Sequence, residues 1–127
     1  MKNTLIITII ALLFGSSVLA QNTKKGARIN FLKTEYNLGS LKQNDTAECY
    51  FVFQNTGNEP LVLASVGTTC GCTVPQWSHK PVLPGKYGKV KVRYNTAQKG
   101  AFRKVVSVKS NATNNNPSIL WIKGKVE

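Results

Sequence analysis

The residues best suited to chemistry are two cysteines separated by one glycine, in the stretch TTCGCTVPQW (residues 68–77). In an extended strand, Cα atoms two residues apart lie about 6.6 Å from each other, and their side chains share a face. That distance is at the upper edge of disulfide reach, and Gly71 can let the chain pucker so that Cys70 and Cys72 meet. A bridge that closes so small a ring would be easily reduced, which would suit thiol–disulfide exchange.

Three other interpretations of these cysteines stay open. Cys49 is predicted to face inward from a strand, so it could form a structural bridge with Cys70 or Cys72. Thiolates also bind Cu(I) or Zn(II), and His79 follows close behind, although these spacings match no common zinc pattern. Small apolar thiols can also fill tight space where the chain crosses the fold. We favour packing or a structural bridge over redox chemistry, and redox chemistry over a metal.

Sequence signatures of several enzyme classes are missing. The chain has no Gly-x-Ser-x-Gly elbow, no His-Glu-x-x-His motif and no Gly-Lys-Ser/Thr phosphate loop. Its five acidic residues form no obvious pair for acid–base work, and His79 is its one histidine. A Cys–His nucleophile would also need a third residue to orient the histidine, and none is evident. We therefore predict that the protein is not an enzyme and carries no cofactor.

The first twenty residues have the pattern of a secretory signal peptide. Lys2 supplies the positive start, residues 5–14 (LIITIIALLF) form a short apolar core, and residues 18–20 (VLA) fit a cleavage site. Cleavage before Gln21 would leave a polar lead over residues 21–28, and the remaining chain has no apolar stretch long enough to span a membrane. The sequence thus predicts export to the periplasm, the medium or the cell surface.

Residues 29–127 read as strands and turns that must position the cysteines. Two stretches alternate most clearly with a period of two, 46–54 and 89–95. The side chains predicted to face inward from them are Ala47, Cys49, Phe51, Phe53, Val90, Val92 and Tyr94. Residues 74–85, rich in proline, are expected to form a stiff irregular connection. Lys104 falls on the apolar side of its strand, which suggests a position at the strand's exposed start or beside a bulge.

About seven short strands, with turn signals every eight to twelve residues, are typical of an immunoglobulin-like β-sandwich. No stretch after the signal peptide keeps the apolar spacing of a helix, so helix content should be small. The sequence therefore predicts an all-β protein made of a single immunoglobulin-like β-sandwich. Five aromatic residues are expected to supply much of its core: Phe31, Phe51, Phe53, Phe102 and Trp121.

The formal net charge of +12 indicates attraction to polyanions. For an exported protein these would be anionic envelope glycans or lipid headgroups rather than nucleic acid. The densest basic stretch is KYGKVKVR (residues 86–93), although its charges follow strand alternation, which is also typical of an ordinary solvated face. The residues predicted as a possible surface contact are Trp77, Lys89, Lys91 and Arg93.

Four segments together resemble the DUF1573 family of small secreted bacterial proteins. In chain order they are FVFQNTGNEPLVL, VGTTCGCTVPQW, PVLPGKYGKVKVRYNT and KGAFRKVVSVKSNA. The resemblance implies a non-catalytic sandwich outside the cytoplasm, similar to PapD-like and major-sperm-protein-like (MSP-like) modules. Cys70 and Cys72 belong to the family's motif, whereas Cys49 does not.

These observations predict an exported, non-catalytic domain that acts as a binding or structural module in the bacterial cell envelope. Its partner would be an unidentified protein or an anionic envelope component. The alternative is a thiol redox protein, or one that handles copper or zinc, centred on Cys70 and Cys72.

Overall fold

The computed structural model describes residues 25–127. The predicted signal peptide (residues 1–20) and the first half of the predicted lead (residues 21–24) lie outside the described residues, and both stay predictions. In the described part, the chain forms strands and no helix, so it contains no helix of the length and hydropathy needed to cross a membrane.

Eight strands make up the fold. They are β1 (Ile29–Phe31), β2 (Glu35–Leu41), β3 (Thr46–Asn55), β4 (Leu63–Thr68), β5 (Thr73–Trp77), β6 (Tyr87–Asn95), β7 (Gly100–Ser110) and β8 (Ser118–Val126). The front sheet has the order β1-β3-β6-β5 and the back sheet the order β2-β8-β7-β4. Neighbouring strands are antiparallel except β2 and β8, which are parallel. The predicted all-β sandwich is confirmed, with eight strands rather than about seven.

The core forms between the two sheets, as the alternation predicts. All seven side chains predicted to face inward from residues 46–54 and 89–95 are buried. The back sheet contributes Val106, Val108, Leu120 and Ile122, each fully buried. Because burial of one such side chain is worth about 1.5–3 kcal/mol, this shared layer is what holds the sheets face to face.

Two details of the strand arrangement differ from the sequence-based expectation. Residues 29–39 (INFLKTEYNLG) have the composition of one strand, but they divide into β1 of the front sheet and β2 of the back sheet, with a bend between them. Residues 73–77 form strand β5 instead of an irregular connection. Pro75 is tolerated there because β5 is an edge strand, where a missing N–H need not interrupt the ladder.

Trp121 was expected in the core, and that expectation is wrong. Leu120 and Ile122 point inward from β8, so the residue between them must point to the outer face of the back sheet. There the indole is covered by the guanidinium of Arg103, whose Cζ lies 3.9 Å from the ring centroid. Phe31 is only half-buried and packs against Phe53 with ring centroids 5.4 Å apart.

The Asn-x-Gly turn after β3 has a structural role, because its asparagine side chain holds neighbouring backbone groups. Asn55 is fully buried, and its Nδ2 donates hydrogen bonds to the carbonyl oxygens of Glu59 (2.7 Å) and Val82 (2.8 Å). Its Oδ1 accepts from the backbone N–H of Gly57 (3.0 Å). A side chain at Gly57 would collide with the backbone of residues 26–28. The turn thereby ties the N-terminal segment and the loop before β6 to the end of β3.

Candidate functional site

The two cysteines of the motif lie in the turn that carries the chain from the back sheet to the front sheet. β4 and β5 are edge strands that pack against each other on one side of the sandwich, and residues 69–72 connect them. Cys70 and Cys72 are joined by a disulfide, with Cα atoms 5.2 Å apart. This is shorter than the spacing in an extended strand because the chain turns at Gly71. Both cysteines are half-buried, and Gly71 is exposed.

Hydrogen bonds fix this turn to both sheets. The carbonyl oxygen of Cys70 accepts from the Thr73 N–H (3.2 Å) and is also within reach of the Thr68 hydroxyl (3.1 Å). The carbonyl oxygen of Cys72 accepts from the N–H of Asn95 on β6 (2.7 Å). The Cys72 N–H points at Cys70 Sγ, at 3.2 Å. The backbone that carries the two sulfur atoms is therefore hydrogen-bonded to both sheets.

A cavity of about 370 Å³ adjoins the disulfide. We call it the disulfide cavity, and its lining includes Cys70, Cys72, Tyr94, Asn95, Gln98 and Lys104. Lys104 is the basic residue that interrupts the apolar side of β7, and it lies at the end of the sandwich where the disulfide is found. None of the described residues that line this cavity is acidic, and Lys104 is the one basic residue among them.

Cys49 has a different environment. It is buried and unbonded on β3, opposite Val92 of β6. Burial raises the pKa of its thiol to about 11, because the apolar core disfavours the charged thiolate. The bridge from Cys49 to Cys70 or Cys72, one of the alternatives raised by the sequence, is not formed in this structure. At neutral pH Cys49 is a protonated core residue.

His79 does not approach the cysteines to build a metal site. Its ring packs against Trp77, with ring centroids 5.3 Å apart. Within residues 25–127, no three His, Cys, Asp or Glu side chains are grouped closely enough to hold a metal ion. The described residues thus offer the copper or zinc alternative no group of three ligands.

A larger concavity of about 870 Å³ lies along the front sheet and the loop before β6. We call it the aromatic–lysine groove, after the residues Tyr50, Trp77, Tyr87, Lys80, Lys86, Lys89 and Lys91 in its lining. Tyr50 and Tyr87 are exposed by 44% and 59%, so their rings are accessible from the groove. Trp77 is half-buried, and its Nε1 is buried without a hydrogen-bond partner among the described residues.

The charges along this groove are mostly uncompensated. Glu48 pairs with Lys91 (3.4 Å) and with Arg93 (2.7 Å), and the hydrogen bond from Arg93 is the main reason that the Glu48 pKa is lowered. The ammonium of Lys89 lies 5.1 Å from the centre of the Tyr50 ring. In the described chain, no ion pair involves Lys89 or the two other groove lysines, Lys80 and Lys86.

Of the residues predicted as a surface contact, the structure brings Trp77, Lys89 and Lys91 together in the groove. Arg93 lies farther along β6, and its guanidinium donates hydrogen bonds to Glu48. The sequence analysis missed Tyr50 and Tyr87 as groove residues. The alternation along β3 already placed Tyr50 on the outward face, where its ring is exposed.

The described chain folds as an immunoglobulin-like β-sandwich, and the solved structures similar to it include PapD-like domains. A PapD-like (ASH) domain of human CEP192 superimposes with a TM-score of 0.68 at 10% identity, covering 88% of this chain and 95% of that domain. A protein of unknown function from Porphyromonas gingivalis W83 gives 0.71 at 16% identity over 84% of this chain. This chain spans half the length of that protein. The YadV chaperone gives 0.55 at 12% identity, covering 78% of this chain and 52% of its own.

The chain belongs to the DUF1573 family, described as proteins of unknown function, whose model matches residues 29–126. The resemblance noted in the sequence is thereby confirmed. No curated protein matches the chain significantly. At these low identities the structural neighbours establish the fold alone.

Proposed function

We propose that this protein is an exported, non-catalytic binding module of the bacterial cell envelope, and that its aromatic–lysine groove receives an anionic envelope component. The observation that carries the proposal is the grouping of exposed aromatic rings with unpaired lysines in one concave surface. Binding sites are typically concave and largely apolar, with a few charged groups that orient the ligand.

The chemistry of the groove favours a ligand with both an apolar face and a negative charge. Tyr50 and Tyr87 offer flat surfaces to a ring or an alkyl chain. Lys86 and Lys89 are exposed beside them and have no acidic partner among the described residues. An anionic ligand would gain Coulomb attraction there without displacing an existing salt bridge. Acidic glycans and anionic lipid headgroups share this chemistry.

Binding to two anionic probes tests the proposal. Protein expressed from the full-length sequence is titrated with alginate, an acidic polysaccharide, and with phosphatidylglycerol vesicles. The test variant is Lys86→Gln/Lys89→Gln, and the control is Lys109→Gln/Lys125→Gln, which removes two exposed lysines from the back sheet. At about 1 kcal/mol for each lysine, the groove variant should bind at least about tenfold more weakly than the control variant.

The salt dependence and the control decide the outcome. Affinity should fall between 50 and 300 mM salt (roughly the range over which screening sets in), because exposed charges are screened. Equal losses in the two variants would mean that the overall field, not the groove, attracts the probe. An affinity that does not change with salt concentration, or no binding to either probe, would reject an anionic ligand.

A second candidate function is thiol redox chemistry at Cys70 and Cys72. It is favoured by the half-exposed position of the disulfide and by the lysine in the disulfide cavity. Exposed disulfides are the labile and catalytic ones, in contrast to buried structural bridges. Intact-mass measurement after alkylation, with and without prior treatment of the native protein by a dithiol, should show two added groups only after reduction.

A further inference from the structure

We infer that Cys70 is the attacking sulfur of a thiol–disulfide exchange site, that Cys72 resolves the mixed disulfide, and that the substrate is a disulfide or dithiol of another protein. The inference rests on the thiol redox candidate and assigns different roles to the two cysteines. It follows from their packing and from the groups around them.

The two sulfurs differ in their contact with the core. Cys72 packs against the buried apolar cluster of the sandwich, and its Sγ lies 4.0 Å from the hydroxyl of the buried Thr73. Cys70 is half-buried but is not part of that packing. A partner protein approaching from solvent would therefore reach Cys70 first, and Cys72 would remain behind it.

The charges also favour a thiolate on Cys70. The Cys72 N–H lies 3.2 Å from Cys70 Sγ and belongs to the same short turn, so it can donate to that sulfur after the S–S bond opens. Lys104 and Tyr94 line the same cavity, and Asp45 and Arg93 line a depression that also includes Gly71. Arg93 is held by Glu48, which leaves Lys104 as the cation in the disulfide cavity that can favour a thiolate there.

The exchange balances in two steps. In the reduced protein, the Cys70 thiolate attacks one sulfur of a substrate disulfide, forming a mixed disulfide and releasing the other substrate sulfur as a thiolate. Cys72 loses its proton to solvent and attacks Cys70 Sγ, which re-forms the Cys70–Cys72 bond and releases the second substrate thiolate. Two electrons pass from the protein to the substrate, and a dithiol partner returns them by the reverse reaction.

Variants that lack one cysteine of the pair test the assignment, with oxidised glutathione as the probe. Cys72→Ser keeps Cys70 as the exchange thiol, and Cys70→Ser keeps Cys72. The rate of glutathione addition, measured by intact mass at pH 7, should be at least about tenfold higher for Cys72→Ser. The double variant Cys70→Ser/Cys72→Ser retains only Cys49 and should gain no glutathione.

A lysine pair tests the electrostatic part in the Cys72→Ser background. Alkylation of Cys70 by iodoacetamide is followed as a rate, and its pH of half alkylation is the pH at which this rate reaches half its maximum. Lys104→Gln should raise that pH, because it removes the cation that favours the thiolate. Lys109→Gln, an exposed lysine of the same strand, should leave that pH unchanged. Thermal melts show whether each variant is folded before its reactivity is compared.

The possible results distinguish an error in the roles assigned to Cys70 and Cys72 from an error in the thiol redox function itself. If Cys72 reacts as fast as Cys70 or faster, the assignment is overturned while thiol redox chemistry stands. If the native wild-type disulfide resists a dithiol and neither single variant reacts, the thiol redox function itself is rejected. An unchanged pH of half alkylation in Lys104→Gln would overturn the role of that lysine.

Discussion

At the scale of single residues, buried polar and ionisable groups determine how this molecule responds to mutation and pH. Asn55 forms hydrogen bonds with three backbone groups from inside the fold, and Cys49 fills core space as a neutral thiol. Neither residue needs a ligand to explain its environment. The sulfur chemistry that we propose belongs to the turn at Cys70 and Cys72, which are joined by a disulfide.

Asn55→Ala should lower the free energy of unfolding by about 2–4 kcal/mol, because the carbonyl groups of Glu59 and Val82 and the N–H of Gly57 lose their hydrogen bonds to this buried side chain. Chemical denaturation of the variant measures the loss. Asn30→Ala, which truncates an exposed asparagine on β1, is the control and should change stability by less than about 0.5 kcal/mol. Similar losses of stability in Asn55→Ala and Asn30→Ala would contradict the role of Asn55 in holding these backbone groups.

Cys49 should make stability depend on alkaline pH. Its folded pKa is about 11 against an ordinary value of 9.0, so the unfolded state loses the proton first as the pH rises. The stability from this group is complete below pH 9 and declines as the pH approaches 11, by at most about 2–3 kcal/mol. Denaturation of wild type and Cys49→Ala at pH 8 and pH 11 should show a smaller decline in the variant. An identical decline would exclude this contribution.

At the scale of elements, each sheet pairs a phenylalanine with a glycine on the neighbouring strand. Phe53 of β3 is opposite Gly88 of β6, and Phe102 of β7 is opposite Gly124 of β8. A side chain at either glycine would collide with the phenylalanine ring. The glycines therefore provide the space in which the two aromatic rings lie flat over the adjacent strand.

Gly88→Ala should destabilise the protein by about 1–3 kcal/mol, because the added methyl group displaces the Phe53 ring. In a Phe53→Leu background the same change should cost at least about 1 kcal/mol less, which a double-mutant cycle would detect. Gly67→Ala, where nothing lies near the added methyl group, is the matched control and should be close to neutral. Additive effects of Gly88→Ala and Phe53→Leu would refute the steric pairing.

At the scale of the whole molecule, the sandwich places its two chemically distinctive regions at separate locations. The aromatic–lysine groove involves the front sheet and the loop before β6, and the disulfide lies where β4 passes into β5. No residue lines both the groove and the disulfide cavity. Mutations can therefore test the proposed ligand binding and the proposed thiol exchange separately.

The predicted export of the molecule has a direct test. Cleavage after Ala20 should yield a protein whose N-terminal residue is Gln21, detectable by intact mass of the material recovered from the cell envelope or the medium. Ala20→Arg should block processing and retain the precursor, because the cleavage site requires a small residue. Full-length protein in the cytoplasmic fraction of wild-type cells would contradict export.

The sequence by itself determined the sandwich and its inner faces. Alternation with a period of two is a local property, so it identified the inward side chains of β3 and β6 before any strand pairing was known. The family motifs were also readable from the chain, including the Asn-x-Gly turn whose buried asparagine the structure explains.

Only the tertiary structure decided which strands join which sheet and which distant residues meet. The division between β1 and β2, the addition of β5 to the edge of the front sheet, and the outward position of Trp121 depend on pairing between segments far apart in the chain. The same pairing places Lys104 at the disulfide cavity and gathers Tyr50 and Tyr87 with the lysines of the groove. Local patterns contain no information about such long-range contacts, because these are set by how the two sheets pack.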